Sequence, residues 1–300
     1  MGHDRVWHSA SLTAGLPTHD KIVDSCAKAG SNRNGVYIRV AGKPRFSVKY
    51  GKDSVIRGEG HTQAHVAGIV NDNPARVVRV PKVYLGFSRG NRGYIVMDFV
   101  QGTTLAQRKS PKGYYYKKDI EAVATAVQQL TDIKMPMGTA PGPVGGGYID
   151  HDFFVDCLSA LEYPTVGHLE AQINEVCFPL AFGTSHQHSR ALVANKVLRL
   201  LGNGLRVNFQ IETADGLVLC PSDPNDSNFM IDNEGKLWGI DFGRTCFLPA
   251  SFVSYSLMSS SDVFVQRVAH RINYPPSANL PVMRAASGGL VGFNDNALGK

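Results

Sequence analysis

A polar cluster around a short apolar hairpin constrains this chain more than any other feature of its sequence. Asp223 and Asn228 lie in the loop that precedes the hairpin 229–240, and Asp241 follows the hairpin directly. Because the hairpin folds back on itself, Asn228 and Asp241 are expected at the same end of two neighbouring strands. An amide oxygen beside a carboxylate suits Mg²⁺, and Asp223 could accept a proton from a hydroxyl. Asp and Asn also favour turns, so a loop-shaping role is the alternative for each.

The first hundred residues have the alternating pattern of β-strands. Residues 36–40 and 45–50 alternate on either side of a turn, and Lys49 lies in the second of these strands. A helix is predicted over 53–70, with Glu59 inside it. A second hairpin is predicted from two further strands, at 82–87 and 93–100.

The rest of the chain is predicted to be mainly helical. Apolar residues recur every three or four positions over 114–133, which predicts an amphipathic helix. Further helices are predicted at 166–178, 186–202 and 250–271. The residues from Tyr274 onward are rich in Pro, Gly and Ser, which predicts loose packing. The change of character near Gly102 predicts two regions, a β-rich one at 1–102 and a helical one at 103–300.

Positive charge is concentrated in the first third of the chain. Residues 1–102 carry a net charge of +8 and residues 103–300 one of −2, within a total of +6. The basic residues are spread out, without a Lys/Arg-rich run or an RNA-binding motif. A small anionic ligand such as a nucleotide suits this pattern at least as well as nucleic acid does, and no nucleic-acid partner is expected.

Two further features bear on where the protein is found. No apolar run approaches the length of a membrane span and no signal peptide is visible, so neither a membrane partner nor secretion is expected. The five cysteines are scattered and form no Cys-x-x-Cys pair, which favours free thiols in the cytoplasm over a zinc or redox site. The sequence leaves the oligomeric state open.

Together these motifs resemble the catalytic core of the protein-kinase-like phosphotransferases. The segments 221–228 and 239–243 are similar to the His-Gly-Asp-x-x-x-x-Asn and Ile-Asp-Phe/Trp motifs of the aminoglycoside phosphotransferase and choline kinase branch. Residues 80–84 and 141–147 resemble fungal members of that branch. The similarity covers about residues 35–270. It implies an α+β, two-lobed protein-kinase-like fold, with a β-rich N-terminal lobe and a mainly helical C-terminal lobe.

The resemblance implies an ATP site. Lys49 would hold the α- and β-phosphates, and Glu59 would orient Lys49. Backbone groups of the hinge that joins the lobes would hold the adenine, at Asp98, Phe99 and Val100.

The resemblance also implies the chemistry. Asn228 and Asp241 would hold Mg²⁺, and Asp223 would accept a proton from the acceptor. The reaction would transfer the γ-phosphoryl group of ATP to a hydroxyl of a small molecule. A protein acceptor is disfavoured because no Ala-Pro-Glu motif follows Asp241.

The chain departs from the family motif at two positions. Pro221 stands where the family has histidine, and Ser222 stands where glycine is usual. The segment 30–35 is an irregular candidate for the phosphate-covering loop. We expect Pro221 to brace the catalytic loop through its fixed φ. The alternative is a pseudokinase, a nucleotide-binding or interaction module without turnover.

Two other polar groups could bind ligands. His186 and His188 lie at a predicted helix start, where their side chains point apart, so a capping role is favoured over a metal site. Asp150, Asp152 and Asp156 cluster before a predicted helix. A role at the helix start is favoured for them, and a site for a cationic substrate is the alternative.

Overall fold

The computed structural model describes residues 4–10, 15–30, 35–177, 206–272, 274 and 276–297. The predicted helix 186–202, with His186 and His188, and most of the candidate loop 30–35 lie outside these residues. Contacts divide the chain into two compact units. The first unit comprises Met1–Ala122 and Asp226–Gly243, and the second comprises Val123–Asn225 and Arg244–Lys300.

Strands and helices alternate irregularly along the chain. In order they are β1 (Arg5–Ser9), α1 (His19–Ala29), β2 (Gly35–Val40), β3 (Lys43–Lys52), α2 (Asp53–Val70), β4 (Val78–Arg79), β5 (Val83–Arg89), β6 (Arg92–Asp98), β7 (Gly102–Thr104), α3 (Lys117–Thr131), β8 (Lys134–Met135), β9 (Tyr148–Asp150), a 3₁₀ turn (Val155–Cys157), β10 (Leu158–Glu162), α4 (Val166–Cys177), β11 (Leu217–Pro221), β12 (Phe229–Asp232), β13 (Leu237–Gly239), β14 (Thr245–Leu248), α5 (Ala250–Ser259), α6 (Val263–Ala269) and α7 (Leu280–Phe293).

The first unit is built on an antiparallel sheet with the strand order β1-β5-β6-β3-β2. Both predicted hairpins are confirmed as β2–β3 and β5–β6. In β3, Phe46, Val48 and Tyr50 are buried in one hydrophobic cluster, as the alternation of the sequence requires. The turn between β2 and β3 needs positive φ at both Ala41 (49°) and Gly42 (79°), a geometry suited to a two-residue hairpin.

The N-terminal strand β1 is fixed to this sheet by one large side chain. The sequence does not predict β1, which pairs with β5 at the sheet edge. The Trp7 indole lies against Gly60 of α2 and Gly86 of β5, where a Cβ atom on either glycine would overlap it. The two glycines therefore create the space that Trp7 fills.

A second sheet in the first unit carries the apolar hairpin. Its strand order is β4-β13-β12-β7, and β12–β13 is the hairpin predicted from the sequence. Strand β7 pairs with β12, with Thr104 opposite Met230. This pairing draws residues 226–243 into the first unit, so the compact units differ from a division at residue 102.

The second unit is mainly helical. It contains a three-stranded sheet in the order β14-β11-β8, the hairpin β9–β10, and helices α4 to α7. Its core joins side chains of both sheets, such as Ile149 and Leu248, to Leu169, Phe252 and Met283 of the helices. The predicted helices at 114–133 and 166–178 are confirmed as α3 and α4. Helix α3 begins within the residues of the first unit and ends within those of the second.

Two predictions for the C-terminal region are wrong. The predicted helix 250–271 is interrupted, because Asp262 caps a new helix by accepting hydrogen bonds from the N–H groups of Phe264 and Val265. The tail is not loose throughout, since residues 280–293 form α7. Apolar side chains at helical spacing bury one face of α7, and they outweigh its Pro and Gly content: Leu280, Met283, Ala286 and Leu290.

Four of the five cysteines have described side chains, and all four are free thiols: Cys26, Cys157, Cys220 and Cys246. Among the described residues, no helix combines the length and apolar character that crossing a membrane requires.

Candidate active site

Lys49 lies at the centre of a group of ion pairs in the first unit, in which Glu59 is buried and Asp241 is exposed. Its Nζ atom is 2.7 Å from Oε1 of Glu59 and 2.9 Å from Oδ1 of Asp241. Strand β3 supplies Lys49, α2 supplies Glu59, and the end of the β12–β13 hairpin supplies Asp241. The fold therefore brings together three residues that are up to 192 positions apart in sequence.

Burial and charge act in opposite directions within this group. Burial lowers the pKa of Lys49, but the charges of Glu59 and Asp241 and their hydrogen bonds outweigh burial and raise it above its usual value. Burial raises the pKa of Glu59, whose side chain is only 2% exposed, while Lys49 and a hydrogen bond from the backbone of Phe242 oppose that rise. The lysine thus remains positively charged at every physiological pH, held by two carboxylates.

Gly243 leaves room for the ion-pair group. Its N–H donates to Oδ1 of Asp241 at 2.9 Å. A Cβ atom at this position would lie 3.1 Å from Oδ1 of Asp241 and 3.3 Å from Nζ of Lys49. Any side chain here would press on both ends of the ion pair.

Gly243→Ala is expected to weaken the ion pair and lower the free energy of unfolding by about 1 kcal/mol, because the added methyl forces both charged groups to move by a few tenths of an ångström. Gly68→Ala is the matched control. Gly68 is exposed in α2 with nothing within 4 Å of its added Cβ, so alanine there should raise the free energy of unfolding by about 0.5–1 kcal/mol. Urea denaturation of both variants measures the difference, and stabilisation by both would contradict the crowding at Gly243.

Asn228 and Asp241 lie at the same end of the β12–β13 hairpin. Phe229 pairs with Gly239, and the N–H of Ile240 donates to the carbonyl of Asn228 at 2.9 Å. The side chain of Asn228 offers an amide oxygen at this end, and the side chain of Asp241 offers a carboxylate. Across the described residues there is no group of three His, Cys, Asp or Glu side chains suited to a metal.

This donor set fits Mg²⁺ in the company of a nucleotide. Mg²⁺ is usually held by only one or two protein carboxylates, and substrate phosphates and water complete its ligands. A site with one carboxylate and one amide, beside a lysine, has the chemistry for a cation that arrives with phosphates. It would be a poor site for a metal held by protein groups alone.

The Asp98 carboxylate has a structural role. Oδ2 accepts a hydrogen bond from the N–H of Lys82 at 2.9 Å, and Oδ1 accepts one from the hydroxyl of Tyr84 at 2.6 Å. Burial, together with the bond to Asp98, raises the pKa of Tyr84 to about 12. The side chain of Asp98 thus fixes the end of β6 to β5.

The backbone after β6 is only partly used within the sheet. The N–H of Asp98 donates to the carbonyl of Lys82 at 3.1 Å, and the N–H of Phe99 donates to the carbonyl of Arg45 at 3.4 Å. Within the part of the chain that the structure describes, the N–H of Val100 has no hydrogen-bond partner. Val100 therefore keeps a backbone donor that the described residues do not use.

Asp223 belongs to the second unit, where two residues hold its carboxylate. Nδ2 of Asn225 donates to Oδ1 of Asp223 at 2.8 Å. Nη1 of Arg244 lies 4.0 Å from Oδ2 of Asp223 and 3.1 Å from Oδ1 of Asp152. Nε of Arg244 lies 3.7 Å from Oδ1 of Asp150. Arg244 therefore ties Asp223 to a second acidic segment.

The sequence does not indicate a role for Arg244, and the helix-start role predicted for the acidic segment is wrong. Asp150 and Asp152 were expected to start a helix with Asp156, but Asp150 ends β9, Asp152 lies in the turn that follows, and both pair with Arg244. Asp156 lies in the 3₁₀ turn with a φ of 52°. The position of Arg244 directly after Asp-Phe-Gly is the one signal that could have identified it.

A buried histidine fixes the acidic segment in place. His151 is fully buried, its Nδ1 accepts from the N–H of Phe153 at 2.9 Å, and its Nε2 faces the carbonyl of Phe252 at 3.2 Å. Burial lowers the pKa of His151 to about 3, so the ring is neutral. Burial also raises the pKa of Asp152, while the charge of Arg244 opposes that rise.

The loop between Asp223 and Asn228 is anchored at Asp226. Oδ2 of Asp226 accepts a hydrogen bond from the hydroxyl of Tyr115 at 2.8 Å and lies 3.1 Å from Nζ of Lys109. Lys109 in turn lies over the Tyr115 ring, 4.6 Å from its centroid. Asp226 thus acts as a structural residue that the sequence pattern does not distinguish from its acidic neighbour Asp223.

Comparison with known proteins identifies the fold through structure. No family model and no curated protein matches the sequence. The structure is similar to that of aminoglycoside phosphotransferase APH(4)-Ia, with a TM-score of 0.50, 13% identity, and coverage of 91% of this chain and 90% of that chain. Lower TM-scores relate it to a thermostable mutant of that enzyme with ADP and hygromycin B (0.49, 13% identity, 97% and 90% coverage). They also relate it to choline kinase LicA from Streptococcus pneumoniae (0.45, 13% identity, 92% and 90% coverage).

The first of these comparisons establishes the class of fold. The chain has an α+β protein-kinase-like fold similar to that of APH(4)-Ia, and the predicted fold class is confirmed. The resemblance found from the motifs agrees, at the level of the fold, with this similarity to an aminoglycoside phosphotransferase.

Proposed function

We propose that this protein is a kinase that transfers the γ-phosphoryl group of ATP to a hydroxyl of a small molecule. The observation that carries the proposal is Lys49 held between Glu59 and Asp241, at 2.7 and 2.9 Å. A lysine fixed by two acidic groups, next to an Asn and Asp pair, is the arrangement that phosphoryl transfer requires for binding a nucleotide with its metal.

Under this proposal, the candidate site residues of the first unit bind the nucleotide and its metal. Lys49 contacts the α- and β-phosphates, and Glu59 orients Lys49. Asn228 and Asp241 hold Mg²⁺, which when bound would neutralise charge on the phosphate oxygens. The adenine binds to backbone groups of the hinge, at Asp98, Phe99 and Val100.

Asp223 is the proposed catalytic base. It accepts the proton of the acceptor hydroxyl as the hydroxyl oxygen forms a bond to the γ-phosphorus and the bond to the ADP oxygen breaks. Asn225 supports this role because it donates a hydrogen bond to one carboxylate oxygen, and the Arg244 guanidinium, 4.0 Å from the other oxygen, adds a favourable charge. With the base and the reactants positioned in advance, much of the barrier is removed by orientation alone.

The segment after Asp241 supports a small acceptor. Only residues 242–249, which include the strand Thr245–Leu248, separate Asp241 from the helix that starts at Ala250. Protein kinases place an activation segment that ends in Ala-Pro-Glu at this point. A small-molecule acceptor and a cytoplasmic location, suggested by the free thiols, complete the proposal.

Mg²⁺-ATP is expected to raise the melting temperature of the native protein, because a ligand that binds only the folded state stabilises it by about 2.7 kcal/mol at 100 times its Kd. The shift should be lost in Lys49→Ala and Asp241→Ala and kept in Lys43→Ala, which changes an exposed lysine of the same strand. Differential scanning fluorimetry with and without Mg²⁺ measures it. No shift of the native protein at millimolar Mg²⁺-ATP would count against any kinase-like function.

Turnover requires its own experiment. We expect a metabolite library, incubated with the protein and Mg²⁺-ATP, to yield at least one product heavier by one phosphate in mass spectrometry. ATP binding without any phosphorylated product would instead support the pseudokinase alternative, a nucleotide-binding or interaction module.

A further inference from the structure

Ser222 occupies a position where the related enzymes usually have glycine, and its side chain is bonded. Ser222 is 1% exposed. Its N–H and its hydroxyl both donate to the backbone carbonyl of Arg244, at 2.9 and 2.6 Å. Glycine could supply only the first of these two hydrogen bonds. The hydroxyl is therefore an additional link between the segment that carries Asp223 and the segment that follows Asp-Phe-Gly.

Pro221 provides no such link. It is the last residue of β11 and lies opposite Thr245 of β14. Since the N–H of Ser222 bonds to Arg244, the alternation of an antiparallel ladder makes Pro221 and Thr245 a pair without mutual hydrogen bonds. Proline, which has no N–H, is tolerated here at no cost to the ladder, so any bracing by Pro221 acts through its fixed φ and not through a hydrogen bond.

The carbonyl that Ser222 holds belongs to the residue whose side chain faces Asp223. Nη1 of Arg244 lies 4.0 Å from Oδ2 of Asp223 and 3.1 Å from Oδ1 of Asp152. Ser222 and Asp223 are neighbours in sequence, so the contacts form a closed ring: Ser222 to the Arg244 backbone, the Arg244 side chain to Asp223, and Asp223 back to Ser222. Movement of the Arg244 backbone would displace its guanidinium from Asp223.

We infer that Ser222 is a positioning residue that replaces the missing family histidine, because its hydroxyl fixes Arg244 and thereby fixes Asp223. This inference rests on the proposed function in so far as Asp223 is the base. The ring of contacts itself is independent of any reaction. It also explains how one chain can carry both Pro221 and Ser222 and still hold an ordered catalytic loop.

Hydrogen–deuterium exchange of residues 217–228 tests the contact without turnover. Ser222→Ala and Ser222→Gly both remove the hydroxyl, and Ser222→Gly does so without adding any atom. Both should raise the local exchange rate by roughly 3- to 10-fold, the size expected for one hydrogen bond. Thr131→Val is the matched control, since it removes a buried hydroxyl that donates to a carbonyl, that of Gln128 at 2.8 Å. It should leave exchange over 217–228 unchanged.

The double variant Pro221→His with Ser222→Gly restores the family motif. It should recover most of the protection that Ser222→Gly loses. Unchanged exchange over 217–228 in both Ser222 variants, or an increase spread evenly over the second unit, would overturn the inference.

Kinetics separate positioning from a general structural role. In the active protein, Ser222→Ala should lower kcat by roughly 10-fold and leave KM for Mg²⁺-ATP unchanged. In an Arg244→Ala background the same change should have no further effect, because Ser222 acts through Arg244. Equal losses in both backgrounds would overturn the inference. If the native protein phosphorylates no acceptor, the proposed function fails, and the exchange measurement still decides whether Ser222 fixes the loop.

Discussion

Asp223→Asn is expected to lower the rate of phosphoryl transfer by roughly 10²–10⁴-fold, the usual size of a general-base effect. The amide keeps the shape of the side chain but cannot accept the proton of the acceptor hydroxyl. Affinity for Mg²⁺-ATP should not change, because the residues proposed to bind the nucleotide are Lys49, Asn228 and Asp241. Steady-state kinetics with the acceptor found by screening, together with the thermal shift by Mg²⁺-ATP, measure the two effects separately.

Asp215→Asn is the matched control for this variant. Asp215 is also in the second unit, but its side chain is 85% exposed and its ion-pair contact with Lys134 is long, at 3.7 Å. The same chemical change there should leave both kcat and the thermal shift at native values. An active preparation of Asp223→Asn that keeps its native rate would show that Asp223 is not the base.

Lys49→Met is expected to lower the free energy of unfolding by about 3–5 kcal/mol at neutral pH, the range for removing one partner of a buried ion pair. Methionine has a similar length but no charge, so it leaves the Glu59 carboxylate, 2% exposed, without its cation. Lys43→Met, at an exposed position of the same strand, should change the stability by less than about 0.5 kcal/mol. Urea denaturation of both variants measures the difference.

The deficit of Lys49→Met should depend on pH. Burial raises the pKa of Glu59, and Lys49 is the largest influence that opposes it. Without Lys49 the folded-state pKa of Glu59 rises further above its value of about 4.3 in the unfolded chain. A carboxyl of this kind binds its proton more tightly in the folded state, so the variant loses stability as pH rises through the folded-state pKa. The difference in free energy of unfolding between the native protein and Lys49→Met should be smaller at pH 5.5 than at pH 8. A difference independent of pH would show that Glu59 is not a buried, unpaired carboxylate in the variant.

Local patterns in the sequence predict much of the first unit. The alternation around Lys49 places that residue on a strand, and the helix that carries Glu59 is found at residues 53–70 as predicted. The hairpin 229–240 is found in register, with Asn228 and Asp241 at one end. These features follow from hydrogen-bond ladders and periodic burial, which a short stretch of sequence already specifies.

Composition alone misleads at the C-terminus. The Pro, Gly and Ser content from Tyr274 onward predicts loose packing. Residues 280–293 nevertheless form a helix whose apolar face is buried in the second unit. Tertiary packing supplies the stability that local propensity does not. The segment 250–271 is the converse case. Its sequence pattern is continuous, but the structure has two helices there, and Asp262 caps the second of them.

The sequence by itself determined the strands around Lys49, the 229–240 hairpin, the helices α2, α3 and α4, and the order of the motif residues, because each depends on neighbours a few positions away. Only the tertiary structure decided which charges meet. Lys49 and Asp241 are 192 positions apart and Arg244 and Asp152 are 92 apart, so no local pattern records their contact. Those pairings depend on how all the intervening chain packs. For the same reason the role of Ser222 became visible only when the carbonyl of Arg244 was found beside its hydroxyl.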